Sequence, residues 1–129
     1  MRKRVIKILK PLDGRAVENA VGPGTPDVNY IGGWVELKKI RYWPRRGGPV
    51  RVPHFTQQQR VWLERRWHRG GAVYMLIQIE RDWLLLNGDV AAEHLGYADE
   101  GELIRLAHRY WKDGLDERDL RETLAAGRQ

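Results

Sequence analysis

Residues 24–40 read "GTPDVNYIGGWVELKKI". Two short runs of residues that favour β-structure, "DVNY" and "WVELKKI", flank "IGG", and Gly32-Gly33 supplies the positive φ that a tight hairpin needs. Side chains alternate between the two faces of a strand, so Glu36 and Lys38 leave the same face about 7 Å apart. The stretch therefore predicts a hairpin whose second strand presents a carboxylate and an ammonium side by side.

A helix and a buried strand follow the hairpin. Thr56 is a good N-cap for "QQQRVWLERRWHRGG", and Gly70-Gly71 ends that helix. "AVYMLIQI", residues 72–79, is a nearly continuous apolar run bounded by turns, which is typical of a central strand. A crossover helix over 56–69 would make strands 34–40 and 72–79 parallel neighbours.

The remaining segments complete the predicted order of elements. Apolar spacing from Val5 to Leu12 favours a helix that Pro11 bends or ends, with a strand as the alternative, and "GRAVENAV", residues 14–21, predicts a short helix that "GPGTP" terminates. "RYWPRRGGPVRVPHF", residues 41–55, predicts a long, mobile, basic loop. "DWLLLNG" predicts another strand, and short helices follow from Asp89 onward, including one over "ADEGELIRLAHRYW". This order indicates an α/β or α+β sheet domain.

Composition limits the chain to one compact domain over residues 1–129. With 42% hydrophobic residues, six Trp and five Tyr, it has apolar material for one core. There are no cysteines, so disulfides and thiolate metal sites are excluded. Charges interrupt the N-terminal "MRKRVIKILK" every few residues, and we therefore expect neither a signal peptide nor a membrane span, but a soluble cytoplasmic protein.

The net charge of +6 is distributed unevenly. Residues 1–70 hold 16 Lys/Arg against 5 Asp/Glu, and residues 71–129 hold 7 against 12, so the halves carry +11 and −5. A concentrated positive surface attracts polyanions through phosphate contact and counterion release. Nucleic acid is thus the leading partner class, with an acidic membrane surface second.

The carboxylates in this basic setting suggest a metal site. Asp27 lies across the hairpin from Glu36, and two carboxylates with the backbone carbonyl of Leu37 offer the hard oxygen ligands that Mg²⁺ prefers. Lys38 would orient or help to deprotonate a water, and Glu18 could add a further carboxylate. Such a group suits phosphodiester hydrolysis. Alternating charges are also common on solvated strands, so a non-catalytic DNA-binding module stays open.

These residues resemble the signature of the PD-(D/E)XK nucleases. Pro26-Asp27 resembles its first element, Glu36-Leu37-Lys38 its second, and Glu18 matches the glutamate of the preceding helix. "HFTQQQRVWLERRWHRGGAVYMLI" is similar to the helix and strand that follow in the VRR-NUC branch and in phage Holliday-junction resolvase-like proteins. In those proteins a polar residue early in the helix faces the metal site, and Gln59 is the best match.

The resemblance implies a restriction-endonuclease-like α/β core with a mixed central sheet flanked by helices. It further implies an Mg²⁺-dependent endonuclease, with Mn²⁺ as a possible substitute and no organic cofactor. We expect branched or double-stranded DNA as partner, a Holliday junction as substrate, and a homodimer in the cytoplasm of a bacterium or phage-infected cell, away from membranes. The alternative is a VRR-NUC-type nuclease of flaps or other replication intermediates.

The resemblance also assigns roles. Asp27 and Glu36 would be metal ligands together with the Leu37 carbonyl, and Glu18 an auxiliary ligand. Lys38 would activate water, and Gln59 would support the site. The expected DNA contacts are basic, aromatic or histidine side chains of the loop and the helix that follows: Arg41, Trp43, Arg45, Arg46, Arg51, His54 and Arg60. The other histidines have no metal-ligand spacing and are expected to be structural or at the surface.

Overall fold

A computed structural model describes residues 1–17 and 24–128. Within these residues the chain is an α/β domain with one mixed, mostly antiparallel six-stranded sheet flanked by five α-helices, which is consistent with a restriction-endonuclease-like core. The strands, in the order in which they pair, are β1 Arg15–Ala16, β2 Val28–Tyr30, β3 Gly33–Ile40, β4 Ala72–Ile79, β5 Asp82–Asn87 and β6 Arg109–Trp111. The helices are α1 Arg2–Ile8, α2 Gln57–His68, α3 Gly88–His94, α4 Glu100–Leu106 and α5 Glu117–Ala126, with a 3₁₀ turn at Lys10–Leu12.

The parallel pair β3–β4 is the axis of the sheet. Its register runs from Gly33 opposite Ala72 to Ile40 opposite Ile79, and α2 makes the connection between the two strands. The other described pairings are antiparallel. The predicted hairpin, the crossover helix and the parallel neighbours are therefore confirmed.

The sheet separates two layers of core. On one face α1 and α5 pack on the strands, with Val5 and Leu120 fully buried. On the other face α2, α3 and α4 pack, with Leu63 and Leu103 fully buried. β4 has five consecutive buried residues because its side chains enter both layers in turn, which confirms it as a central strand.

Two short edge strands differ from the prediction. Arg15–Ala16 is a strand paired with β2, where a helix over 14–21 was expected; residues 18–21 of that helix lie outside the described part of the chain. Likewise the helix expected over 98–111 is α4 followed by β6, because the chain after Leu106 turns back to β5 and His108 N–H donates to Leu85 O at 2.9 Å.

The basic loop after β3 is anchored to the core. Trp43 is buried and its indole N–H donates to Asp82 at 2.8 Å. Val50 is buried too, and its backbone exchanges hydrogen bonds with Gly96 and Ala98. The prediction of a mobile loop is therefore wrong at these two points, where apolar side chains inside a basic segment dock on α3 and the sheet.

None of the helices in residues 1–17 and 24–128 combines the length and the apolar character needed to cross a bilayer.

Candidate active site

β3 positions the first two groups of the site. Glu36 and Lys38 leave the same face of the strand, and Lys38 Nζ lies 3.1 Å from Glu36 Oε2. Glu36 is only 2% exposed, whereas nearly every other buried side chain is apolar. A carboxylate is seldom buried this fully unless it is paired, so its position calls for a partner or a function.

The hairpin brings in Asp27. Continuing the β2–β3 register from Val28 opposite Val35 places Asp27 opposite Glu36, and the Asp27 carboxylate is close enough to contribute to the raised pKa of Glu36. Asp27 Oδ2 accepts a hydrogen bond from Leu37 N–H at 2.9 Å. The predicted convergence of Asp27 and Glu36 is thus confirmed as geometry.

Pro26 cannot donate a backbone hydrogen bond to the carbonyl of Leu37, which lies opposite it. The same register places Pro26 opposite Leu37, and proline has no N–H with which to extend the antiparallel ladder. The N–H and C=O of one residue in an antiparallel strand point to the same side, so the Leu37 carbonyl faces this side of the strand as its N–H does. The Pro-Asp pair therefore both supplies a carboxylate and ends the strand beside it.

A glycine lets the segment before Asp27 approach α2. Gly24 has φ +86°, and a Cβ at this position would stand 2.4 Å from Gln58 O and 2.8 Å from Gln59 N. No other residue type fits so close to the backbone of the first turn of α2. This close approach brings Asp27 and Gln59 to opposite sides of the site around Glu36.

Gln59 connects the two charged groups. Its Nε2 donates to Glu36 Oε2 at 3.0 Å, and its Oε1 accepts from Lys38 Nζ at 3.1 Å. α2 presents this side chain to β3 because Thr56 caps the helix and starts it at Gln57. Asp27, Glu36, Lys38 and Gln59 thus form one contiguous group, hereafter the carboxylate–lysine cluster.

A residue of the loop that leads into α2 closes the cluster. His54 has φ +63°, an unusual conformation outside glycine, and its carbonyl oxygen accepts from Lys38 Nζ at 3.1 Å. The ring of Phe55 lies 5.9 Å below the ammonium. Neither contact was predicted, because a carbonyl and a backbone dihedral leave no sequence signal at a histidine.

The cluster contains two carboxyl groups, those of Asp27 and Glu36, but only one ammonium group, that of Lys38. Burial first, and then the neighbouring Asp27 carboxylate, raise the pKa of Glu36 to about 7, although Lys38 opposes the shift. Two crowded carboxylates that resist joint ionisation are well suited to a divalent cation, whose charge would relieve the repulsion. Asp27, Glu36 and the Leu37 carbonyl offer a set of hard oxygen donors that fits Mg²⁺. Glu18 lies outside the described residues.

The predicted DNA contacts divide into two groups. Five of the predicted side chains are exposed and accessible to DNA: those of Arg41, Arg45, Arg46, Arg51 and His54. Trp43 is buried against Asp82, so its ring is not available to stack on a base. The guanidinium of Arg60 donates to Ala92 O and Leu95 O, each at 2.8 Å, and tethers α2 to the end of α3. The fold therefore gives both side chains structural contacts, and the contact of Trp43 and Arg60 with DNA stays a prediction that these contacts do not favour.

A second acidic group lies at the surface of the helices. Ligand atoms of Glu64, His68 and Glu93 lie within 4.8 Å of one another, and all three residues are exposed. The spacing of the histidines alone does not reveal this group; the i, i+4 spacing of Glu64 and His68 marks two of its members, but Glu93 comes from α3 and could be placed only by the fold. Exposed acidic groups of this kind are common on proteins without a bound ion.

A scan against protein-family models and a search of curated proteins both find no match to this chain.

Proposed function

We propose that the protein is an Mg²⁺-dependent nuclease of the PD-(D/E)XK type. The single observation that carries the proposal is that the buried Glu36 lies opposite Asp27 in the hairpin, with Lys38 and Gln59 in hydrogen-bonding contact with Glu36. These four residues come from a hairpin and a crossover helix that are separated in sequence, so a solvated strand face does not account for their convergence.

Asp27, Glu36 and the Leu37 carbonyl would hold the cation. When bound, Mg²⁺ would polarise the scissile phosphate and lower the pKa of a water molecule. Lys38 acts as a fixed charge: its three N–H donors meet the Glu36 carboxylate, the Gln59 amide and the His54 carbonyl. An ammonium held in this way stabilises the negative charge that develops on the phosphate without having to reorient.

Within this class we propose a resolvase that cuts four-way DNA junctions. The support is the exposed basic loop that follows β3 directly, which offers arginines to a DNA backbone close to the cluster. A four-way junction has two equivalent scissile strands, so the enzyme would act as a C2 homodimer with one cluster in each subunit.

Cleavage of matched substrates tests this proposal. We expect the protein to nick a synthetic four-way junction at symmetric positions in Mg²⁺, and to bind without cutting in Ca²⁺. Asp27→Asn and Lys38→Ala should each abolish cleavage and leave junction binding largely intact. Either variant cutting at the normal rate would overturn the assignment.

The pattern of products decides between the candidates. Preferred cutting of a flap over the junction indicates a VRR-NUC-type nuclease. A mobility shift without cleavage of junction, flap or linear duplex indicates a non-catalytic DNA-binding module. Replacement of Mg²⁺ by Mn²⁺ should preserve the cleavage pattern, because both ions accept the same oxygen donors.

A further inference from the structure

The first turn of α2 carries a capping box that shares its glutamine with the carboxylate–lysine cluster. Thr56 Oγ1 accepts from Gln59 N–H at 3.1 Å, and Thr56 N–H donates to Gln59 Oε1 at 3.0 Å. In an ordinary capping box these two bonds stabilise only the helix end. Here the same amide also bonds Lys38 and Glu36.

The shared amide has one favourable orientation. Gln59 Oε1 faces two donors, the Thr56 N–H and the Lys38 ammonium, while Nε2 faces the Glu36 carboxylate. A half-turn of the amide would set NH₂ against both donors and oxygen against the carboxylate, so every contact would become repulsive. The Thr56 N–H belongs to the backbone, and its place is fixed by the hydroxyl bond to the helix.

We propose that Thr56 is a positioning residue of the active site: it orients the Gln59 amide, which holds Lys38 Nζ against Glu36. The inference rests on the nuclease function proposed above and extends it to a residue outside the four-residue cluster. Thr56 is exposed, so its replacement by alanine removes the hydroxyl without leaving a cavity in the core.

A second helix provides a matched control. Asp116 caps α5, and its side chain accepts from Asp119 N–H at 2.9 Å, as Thr56 does from Gln59. α5 packs on the opposite face of the sheet from α2. Asp116→Ala should therefore cost a comparable shift in melting temperature and leave the cluster unchanged.

Steady-state cleavage of the four-way junction gives the first test. Thr56→Ala should lower kcat about tenfold, with KM within about twofold, because the interaction is with the reacting groups and not with DNA binding. Thr56→Ser should restore most of kcat, and Asp116→Ala should keep the wild-type value. Equal kcat values for Thr56→Ala and Asp116→Ala, or no rescue by serine, would overturn the inference.

NMR of side-chain amides gives a readout that does not depend on cleavage. In the wild type the Gln59 NH₂ signals, assigned by their loss in Gln59→Leu, should be shifted away from those of the exposed Gln57 and Gln58. Thr56→Ala should move them toward the exposed glutamines, and Asp116→Ala should not. If the wild type cuts no DNA, the nuclease proposal fails, while unmoved Gln59 signals in Thr56→Ala would refute the positioning role separately.

Discussion

Burial of the Glu36 carboxyl group beside Asp27 provides a site for chemistry but lowers the stability of the fold. Glu36 is 2% exposed and has the Asp27 carboxyl group beside it. Lys38, the Gln59 amide and the Leu37 N–H supply hydrogen bonds to the two acids, but one ammonium does not neutralise both. Crowded carboxyl groups of this kind are typical of functional sites, where stability is given up for chemistry.

The first residue-scale prediction concerns stability against pH. The pKa of Glu36 is raised to about 7 in the fold, so the folded state holds a proton that the unfolded chain loses near its ordinary value of 4.5. The stabilising contribution of Glu36 is complete below pH 4.5 and is lost as the pH rises through 7. The free energy of unfolding of Glu36→Gln minus that of the wild type should therefore increase by on the order of 2 kcal/mol between pH 5 and pH 8.

Urea denaturation in EDTA at pH 5 and pH 8 measures the free energy of unfolding of both proteins. Subtracting the two proteins cancels the titrating groups that lie away from Glu36, since these are shared and independent of it. Identical pH dependence in wild type and Glu36→Gln would show that Glu36 titrates normally and is not the strained group that the cluster requires.

The second residue-scale prediction separates the backbone of His54 from its side chain. The carbonyl bonds Lys38, and φ is +63°, whereas the imidazole is exposed. His54→Gly should keep most of the junction-cleaving kcat, because glycine adopts this φ freely. His54→Val should lose at least tenfold, since β-branched residues are strained there. Equal kcat values for His54→Gly and His54→Val would exclude a role of the His54 carbonyl in holding Lys38.

At the scale of elements, the site depends on how closely the 24–27 segment approaches α2. Gly24→Ala would bring a Cβ to 2.4 Å from Gln58 O and force the two segments apart. We expect a loss of kcat of at least tenfold and a lower melting temperature. Gly47→Ala is the control, because Gly47 has a similar φ of +74° with nothing within 4 Å of an added Cβ.

The comparison of these two glycine variants isolates close packing from backbone strain. Gly47→Ala should lose only the stability that the left-handed conformation costs a residue with a Cβ, about 1–2 kcal/mol, and should cut DNA normally. If Gly24→Ala is no worse than Gly47→Ala in kcat, the contact between the segment and α2 does not position the site.

The elements that sequence could predict are those with strong local signals. α2 has a capping residue and a terminal Gly-Gly, and β4 is a long apolar run, so each was predicted within a residue or two. The convergence of Asp27 with Glu36 followed from the hairpin register. β1 and β6 have two and three residues and exist through pairing with distant strands, so no local pattern marked them.

The parts of the site that were missed depend on tertiary contacts. Trp43 and Arg60 had the composition of DNA contacts, yet the fold uses them to hold the loop and α3 in place. The His54 carbonyl and the shared capping box require the actual position of α2 against β3. Residue type alone does not distinguish a side chain that faces DNA from one that faces the core.

Across the protein, the asymmetry of charge between the two halves of the chain predicts how DNA binding depends on salt. Arg45 and Arg46 are exposed in the basic loop, and Arg105 and Arg118 are exposed in the acidic half. Each phosphate contact contributes about 0.9 to the slope of log K against log salt. Arg45→Ala with Arg46→Ala should reduce the slope for junction binding by about two, measured by fluorescence anisotropy.

The control removes the same net charge from the other half of the chain. Arg105→Ala with Arg118→Ala should change the slope little, because neither side chain lies in the basic loop. Equal slopes for the two double variants would mean that overall charge, and not the loop, binds the DNA.

The most direct measurement is calorimetric titration of the protein with Mn²⁺ in the absence of DNA. We predict one ion per chain, with binding lost in Asp27→Asn and kept in Glu64→Gln, which disrupts the exposed Glu64–His68–Glu93 group instead. Circular dichroism should confirm that both variants are folded. Binding that survives Asp27→Asn and disappears in Glu64→Gln would contradict the claim that the carboxylate–lysine cluster is the metal site.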